Sequence, residues 1–352
     1  MYIYSIISTY CGDGKMCSGK PEKEPTVVSV WLAICCGLVL LMVLVGGITR
    51  LTGSGLSITE WKPVTGIVPP IGKKGWLKEK EKYEKTPEYQ HINSGMSLGE
   101  FKRIYMVEYL HRLLGRLLGV VFLGPFLYFA TRRKIRNALT VRMCVTLTLG
   151  LGQGVMGWLM VKSGLVDVPY VSHYRLAMHL FLTVLLFSIL WYSCLVSAGI
   201  RNTYAVSACK YVVVVLVYCT TCGQMILGAM VAGLDAGLIF NTFPLMDGSL
   251  VPSEIFALPP LSGGFLNNGM VVQFLHRACA TTLLILAIVT MVLCRRLSAV
   301  VLGTCIIGQF FIGVVTLLNS VPICCASVHQ LGGFAVLAVE LYMLTVMKVS
   351  KQ

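Results

Sequence analysis

Four histidines recur in this chain as two matching pairs, and their placement predicts a shared cofactor. They are His111, His179, His276 and His329. Two of the settings are nearly the same, EYLHR at 108–112 and QFLHR at 273–277. Each histidine lies near the start of an apolar segment, where an imidazole is unfavourable unless it has a partner. Iron in a porphyrin is the natural candidate because an imidazole can be an axial ligand on each face of the ring.

The alternative for any one of these histidines is a hydrogen-bonded structural role. Four at repeat-equivalent positions argue against it, because the coincidence would have to occur twice in register. The other two histidines lack such counterparts. His91 lies in a long polar loop, where we expect it to be solvated, and His173 lies in a short outer loop, as a surface or rim residue.

Composition predicts a polytopic membrane protein. The 352 residues are 56% hydrophobic and only 12% charged, with a mean hydropathy of +0.78, whereas soluble domains have about 25% charged residues. The net charge of +14 would suggest nucleic acid in a soluble protein. Here the basic residues gather in short loops between apolar segments, so no nucleic-acid partner is expected.

Eight apolar runs are long enough to span a bilayer. They lie at about 28–47, 108–130, 140–161, 175–198, 209–232, 270–293, 298–318 and 326–347. The predicted fold class is therefore all-α, with eight transmembrane helices arranged as two parallel four-helix-bundle repeats.

The short loops divide by charge, which predicts their orientation. Basic residues without acids follow helices two, four, six and eight, at Arg132, Arg133, Lys134, Arg136, Arg201, Lys210, Arg295, Arg296, Lys348 and Lys351. The positive-inside rule then puts both termini in the cytoplasm, and the long loop 48–107 outside. Residues 1–27 contain Lys, Asp and Glu but no Arg, so we expect a cytoplasmic tail and not a transit peptide.

The chain is an internal duplication. GGITR at 46–50 corresponds to GAMV at 228–231, LHR at 110–112 to LHR at 275–277, and GQ at 152–153 to GQ at 308–309. A period of four helices preserves topology, so the repeats are parallel. They span 28–198 and 209–347, and all four histidines fall in the outer part of the bilayer.

Glycines in helices three and seven are expected to permit close packing. A site near one face suits outward-opening chemistry better than a conduit across the membrane.

The halves differ next to the first histidine of each pair. Glu108 precedes His111 by three residues and shares its helix face, whereas Gln273 holds the matching position. A carboxylate can accept a proton and an amide cannot. The alternative is that Glu108 stabilises a helix N-terminus through the dipole. The asymmetry suggests a reacting porphyrin in the first half and a resident one in the second.

Several other polar residues are candidates. Arg50, Arg112, Arg116 and Arg277 cluster at outer helix ends, where they would anchor heme propionates or reach lipid headgroups. Glu340 lies deep in the last helix and is a functional candidate, although an ion pair with Lys348 would also explain it.

Most of the 14 cysteines lie within apolar helices and are expected to pack as small apolar residues. This holds for the CxxC at 219–222. Cys324 and Cys325 fall on the outer side without an assigned role.

At these residues the chain resembles the heme A synthases. The motifs are GGITRLT at 46–52, SGLS at 54–57, EWKP at 60–63 with Gly66, EYLHR at 108–112 with GR at 115–116, FNTFPLM at 240–246, LHR at 275–277 and HQ at 329–330. Together they cover about residues 28–347. The absence of cysteine from the first outer loop resembles the proteobacterial and mitochondrial branch.

The resemblance implies oxidation of a methyl group of heme O, through an alcohol and its hydrate, to the formyl group of heme A. His111 and His179 would flank heme O with Glu108 assisting catalysis, and His276 and His329 would ligate heme b. It further implies a bacterial cell inner membrane, in preference to a mitochondrial one, and partners such as heme O synthase and cytochrome c oxidase assembly factors. The electron donor and any homo-oligomer are not determined. The alternatives are a quinol-linked cytochrome b-type electron-transfer protein and a heme-moving protein without chemistry.

Overall fold

The computed structural model describes residues 24–62, 65–166, 168–257 and 264–350. The predicted tail, residues 1–27, therefore lies outside the described residues except for its last four positions. Two of those, Thr26 and Val27, already belong to the first helix. The predicted all-α class is confirmed. Within the described ranges, eight helices are long and apolar enough to cross a membrane.

Those eight helices are α1 Thr26–Leu51, α4 Leu98–Thr131, α5 Asn137–Leu165, α6 His173–Ser197, α7 Ala208–Gly233, α9 Gly269–Cys294, α10 Leu297–Leu318 and α11 Ile323–Val346. Three shorter helices, α2 Gly72–Tyr83, α3 Pro87–His91 and α8 Glu254–Ala257, lie in the connections. A two-stranded parallel sheet, which sequence analysis did not predict, pairs β1 Tyr204–Val206 with β2 Met347–Val349.

Helix α4 begins ten residues before its predicted start. Ser97 and Glu100 form a capping box there: Ser97 Oγ accepts from Glu100 N at 3.2 Å, and Glu100 Oε2 accepts from Ser97 N at 2.9 Å. Two unpaired backbone donors of the helix end are thereby satisfied. Hydropathy locates only the lipid-facing part of a helix, so it does not detect this extension.

The extension supports the outer loop. Phe101 and Tyr105 of α4 are buried under Tyr83 and Trp76 of α2. The Trp76 and Tyr105 rings meet edge to face with centres 5.2 Å apart. The loop helices thus pack against α4 and α5.

Three helix pairs recur in both groups of four helices, whereas α9 packs closely against α10 and the equivalent α4 and α5 touch only slightly. In the first, α1 packs against α4 and α6, and α5 against α6; in the second, α7 packs against α9 and α11, and α10 against α11. Between the groups, α6 contacts α7 and α11, and α1 contacts α11. Phe187 and Phe334 meet there edge to face at 5.4 Å. Trp191 Nε1 donates to the Ala338 carbonyl at 2.9 Å.

Candidate heme-binding histidine pairs

The second histidine pair has the spacing of two axial ligands. The ring centres of His276 on α9 and His329 on α11 lie 6.4 Å apart, with the planes at 80°. An imidazole nitrogen binds a metal ion at about 2 Å and its ring centre lies about 1 Å farther, so opposed ligands hold their centres about 6 Å apart. The donor set and spacing fit a heme iron.

The first pair occupies the equivalent place in the other half. His111 on α4 and His179 on α6 lie close enough to interact electrostatically. His179, His276 and His329 lie about two turns into their helices, whereas His111 lies about four turns into α4 because that helix begins earlier. The earlier helix start does not change the histidine's place in the repeat.

Each histidine lies against a glycine of a neighbouring helix. A Cβ atom added to Gly46 would stand 3.2 Å from His111 Nε2, and one added to its counterpart Gly228 would stand 3.1 Å from His276 Cε1. On the other side, Gly157 faces His179 Cε1 at 3.6 Å and Gly313 faces His329 Cε1 at 2.7 Å. The glycines of helices α5 and α10, expected to serve helix packing, thus also leave room for the imidazoles.

Three glutamines contact the histidines, and sequence analysis did not single out their role. Gln309 Nε2 lies 3.1 Å from His329 Nδ1 and donates to the His329 carbonyl at 2.6 Å. Its counterpart Gln153 donates to the His179 carbonyl at 3.0 Å. Gln224 lies 3.2 Å from His276 Nε2, and the corresponding residue of the first half is Met42. Gln153 and Gln309 hold the same position in the two repeats, and that correspondence could have indicated their shared role from the sequence.

Two buried histidine nitrogens without hydrogen-bond partners also fit the binding of a heme. Among the described residues, the Nδ1 atoms of His179 and His276 are buried and make no hydrogen bond. Buried polar atoms are normally satisfied, so each such nitrogen indicates a ligand or a reorientation of the ring on binding.

Glu108 fastens the first outer loop to helix α4. It is buried, and its Oε2 accepts from Ser57 Oγ at 2.7 Å and from Ile58 N at 2.9 Å. Its Oε1 accepts from Arg112 at 2.6 Å. The helix-dipole alternative is wrong, because Glu108 lies ten residues after the first residue of α4 and not in its first turn.

Gln273 makes the reciprocal contact in the second half. Its Nε2 donates to the Ala236 carbonyl at 2.7 Å and the Ile239 carbonyl at 2.5 Å, and its Oε1 accepts from Arg277 at 3.1 Å. The first loop therefore presents donors to a carboxylate, whereas the second presents acceptors to an amide. The Glu–Gln difference is therefore matched by the hydrogen-bonding groups that the two loops present.

The four arginines at the outer helix ends all bind protein groups. Arg112 donates to the Ile58 and Glu60 carbonyls. Arg277 donates to the Phe240 and Thr242 carbonyls, and its buried Nε has no hydrogen-bond partner among the described residues. In the same layer, Arg116 donates to the Lys62 carbonyl at 2.8 Å and Arg50 forms an ion pair with Asp235 at 2.8 Å. Propionate binding by these arginines stays a prediction.

Glu340 is fully buried and contacts helix α7 of its own half. Its Oε1 accepts from Thr221 Oγ1 at 2.6 Å, and its Oε2 has no hydrogen-bond partner among the described residues. Lys348 is exposed in strand β2 and forms no ion pair with it. The ion-pair explanation for Glu340 is therefore wrong. Cys324 and Cys325 are free thiols, and His91 is exposed, as expected.

Comparison with known proteins gives consistent relatives. The sequence profile of the cytochrome oxidase assembly protein family (COX15-CtaA) matches residues 29–341. The heme A synthase of Anaplasma marginale (strain Florida) is 52% identical over 317 residues, covering 90% of this chain and 93% of that one. Those of Wolbachia pipientis wMel and Ehrlichia canis (strain Jake) are 45% and 43% identical, each over 92% of this chain and over 93% and 94% of their own lengths.

Proposed function

We propose that this chain, which belongs to the cytochrome oxidase assembly protein family, is a heme A synthase. It oxidises a methyl group of heme O to the formyl group of heme A, which serves cytochrome c oxidase. The observation that carries the proposal is the identity of 43–52% with heme A synthases over about nine-tenths of the chain. The two histidine pairs in repeat-equivalent places agree with it.

We assign heme O, the substrate, to His111 and His179, and a resident heme b to His276 and His329. The support is the asymmetry of the halves. The first pair has the ionisable Glu108 on the same helix face, whereas the second has the amides of Gln273 and Gln224. An ionisable group belongs where protons are exchanged. Amides suit a site that only holds its ligand.

We assign the following roles to the residues of this chain. The histidines hold the porphyrins, and the resident heme, when bound, supplies one-electron transfer. Glu108 accepts a proton near His111 and keeps the loop at Ser57 closed over the site. The arginines of the outer layer neutralise the propionates. Because heme O carries a farnesyl tail, the lipid bilayer lets substrate and product avoid water.

The proposed setting is the inner membrane of a bacterium, with both termini in the cytoplasm and the histidines toward the outer face. Among the short loops, those at the opposite end of the helices are the ones rich in Arg and Lys, which favours that orientation. Proposed partners are the heme O synthase that supplies substrate and the assembly factors that receive product.

Coexpression with a source of heme O, followed by pigment extraction and mass analysis, tests this function. Heme A is expected with the unaltered chain. The double variant His276→Ala/His329→Ala should lose the resident pigment and heme A together. Recovery of only unaltered heme O would overturn the proposal, and turnover of a quinol analogue without heme A would favour the electron-transfer alternative.

A further inference from the structure

Each repeat has a cavity at the end of the helices opposite the histidines, where the loops carry several arginines. Both cavities lie between the start of the first helix of the repeat, the turn joining its second and third helices, and the end of its fourth. The first is lined by Glu24, Arg136 and Ser197, among others, and the second by Val206, Arg296 and Met347. The repeat therefore allows a direct comparison of the two.

The first cavity contains its own carboxylate. Glu24 Oε1 accepts from the backbone N of Arg136 at 3.3 Å and interacts electrostatically with Arg142. The cavity is small, about 70 Å³. An acidic side chain thus supplies the negative charge among the arginines there.

The second cavity has the cations but no acid. Its volume is about 480 Å³, and no Asp or Glu is among its lining residues. Lys210, Arg295 and Arg296 line it, and none of the three forms an ion pair with a described carboxylate. Val206 holds the place of Glu24, since each precedes the equivalent glycine, Gly228 or Gly46, by 22 residues.

Two further polar groups line the second cavity, where the Arg296 guanidinium also lies over the Tyr204 ring, 3.8 Å from its centre. The Tyr204 hydroxyl is buried and makes no hydrogen bond within the described residues. Ser207, the residue before helix α7, makes no side-chain capping bond, so the first N–H groups of that helix are not capped by it. A helix start next to several cations is a favourable place for an anion.

We propose that this second cavity binds the phosphate group of an anionic phospholipid. It lies where α7 begins and where α9 and α11 end, which is the level of lipid headgroups. Arginine forks and a lysine point charge suit phosphate oxygens. Basic pockets between spanning helices bind acidic headgroups in this way. The lipid phosphate would occupy the position that Glu24 fills in the first repeat.

Native mass spectrometry of the purified full-length protein, with added phosphatidylglycerol or phosphatidylcholine of the same acyl chains, tests the proposal. The unaltered chain is expected to retain phosphatidylglycerol selectively. Lys210→Gln/Arg295→Gln should bind it about 30-fold more weakly, since each cation contributes to headgroup attraction. The matched control is Arg132→Gln/Arg133→Gln, which removes two charges from the other repeat's turn; Arg133 and Arg295 share a left-handed backbone. Equal weakening in both variants would overturn the proposal.

A second pair of variants adds a carboxylate without removing a cation. Ala205→Glu, at an exposed position that lines the second cavity, adds a carboxylate there and should displace the lipid, whereas the neutral Ala205→Gln should not. Retention of phosphatidylglycerol by Ala205→Glu would contradict the proposal. Displacement of the lipid by millimolar inorganic phosphate would instead identify free phosphate as the ligand and overturn the lipid assignment.

Discussion

Gly313 of helix α10 lies so close to His329 that a Cβ atom added to the glycine would come within 2.7 Å of the imidazole Cε1. Carbon atoms do not approach so closely, so the ring or the helix would have to move. The equivalent glycine of the first half, Gly157, leaves 3.6 Å to His179, an ordinary contact.

Gly313→Ala is therefore expected to displace His329 and to lower the pigment of the second half. Overpacking of this kind costs about 1–3 kcal/mol. Gly157→Ala is the matched control and should keep its pigment. Heme content per purified protein measures both, and equal pigment in the two variants would contradict the role of Gly313.

Gln330 and Gly47 form a polar contact between the two halves. Gln330 Nε2 donates to the Val43 carbonyl at 3.2 Å, and its Oε1 occupies the place of a Cβ on Gly47. The equivalent contact in the other half is apolar, with Leu180 packed against the cluster that contains Ala229.

We expect Gly47→Ala to destabilise the protein by about 1 kcal/mol, because the new methyl group displaces the Gln330 amide from its hydrogen bond to the Val43 carbonyl. Adding Gln330→Leu recreates the Leu180–Ala229 pair and should restore most of the loss. Melting temperatures of the two single variants and the double variant give the interaction energy between positions 47 and 330. Additive losses would show that the two positions are independent.

A substitution at Ser57 can distinguish the two roles of Glu108, which are holding the outer loop and accepting a proton. Ser57→Ala removes one of the two donors at Glu108 Oε2 and leaves the carboxylate and the Ile58 N–H in place. The expected stability loss is about 1 kcal/mol, with most heme A formation retained. Glu108→Gln removes the charge and turns an amide toward the loop donors, so it should abolish heme A formation. If both variants lowered turnover equally and made the loop protease-sensitive, Glu108 would act by positioning alone.

Glu340 has Leu190 as its repeat counterpart, and that leucine is buried. Replacing Thr221 by valine removes the hydroxyl that donates to Glu340 and should cost about 1–3 kcal/mol. Glu340→Leu removes the carboxyl itself and should leave the melting temperature near or above that of the unaltered chain. A large loss of stability in Glu340→Leu would contradict this. A stable variant that forms no heme A would assign Glu340 a functional role.

The outer loop should loosen as pH rises. Burial, together with the charge of Glu108, raises the pKa of Glu88 to about 7, although Tyr83 donates to its carboxylate at 3.0 Å. The folded loop thus prefers the protonated acid. The contribution of Glu88 to the stability of the folded loop is complete below about pH 4.5 and is lost as pH rises through about 7.

Hydrogen exchange of residues 72–98 between pH 5 and pH 8 measures that change. Glu88→Gln, which keeps a polar side chain of the same size, should make the exchange protection independent of pH. The solvent-exposed Glu81→Gln is the control and should leave the pH dependence unchanged. Protection that rose with pH in the unaltered chain would contradict the assignment.

Hydropathy predicted the eight spans because the thickness of the hydrocarbon layer requires a minimum apolar length. It misplaced the start of α4 because the Ser97–Glu100 capping box and the packing of Phe101 extend that helix outside the apolar segment. It also left the loop partners of Glu108 and Gln273 undefined, since those partners lie between 34 and 51 residues away in sequence.

The sequence by itself determined the all-α class and the number of spans, and it predicted the duplication and the four histidines at repeat-equivalent positions. These are properties of composition and period, which act locally or repeat along the chain. Only the tertiary structure decided which glycine makes room for each imidazole, that Glu108 holds a loop, and that the second basic cavity lacks the acid of the first. Those relationships join residues from different helices, and their energies depend on packing that no local pattern records.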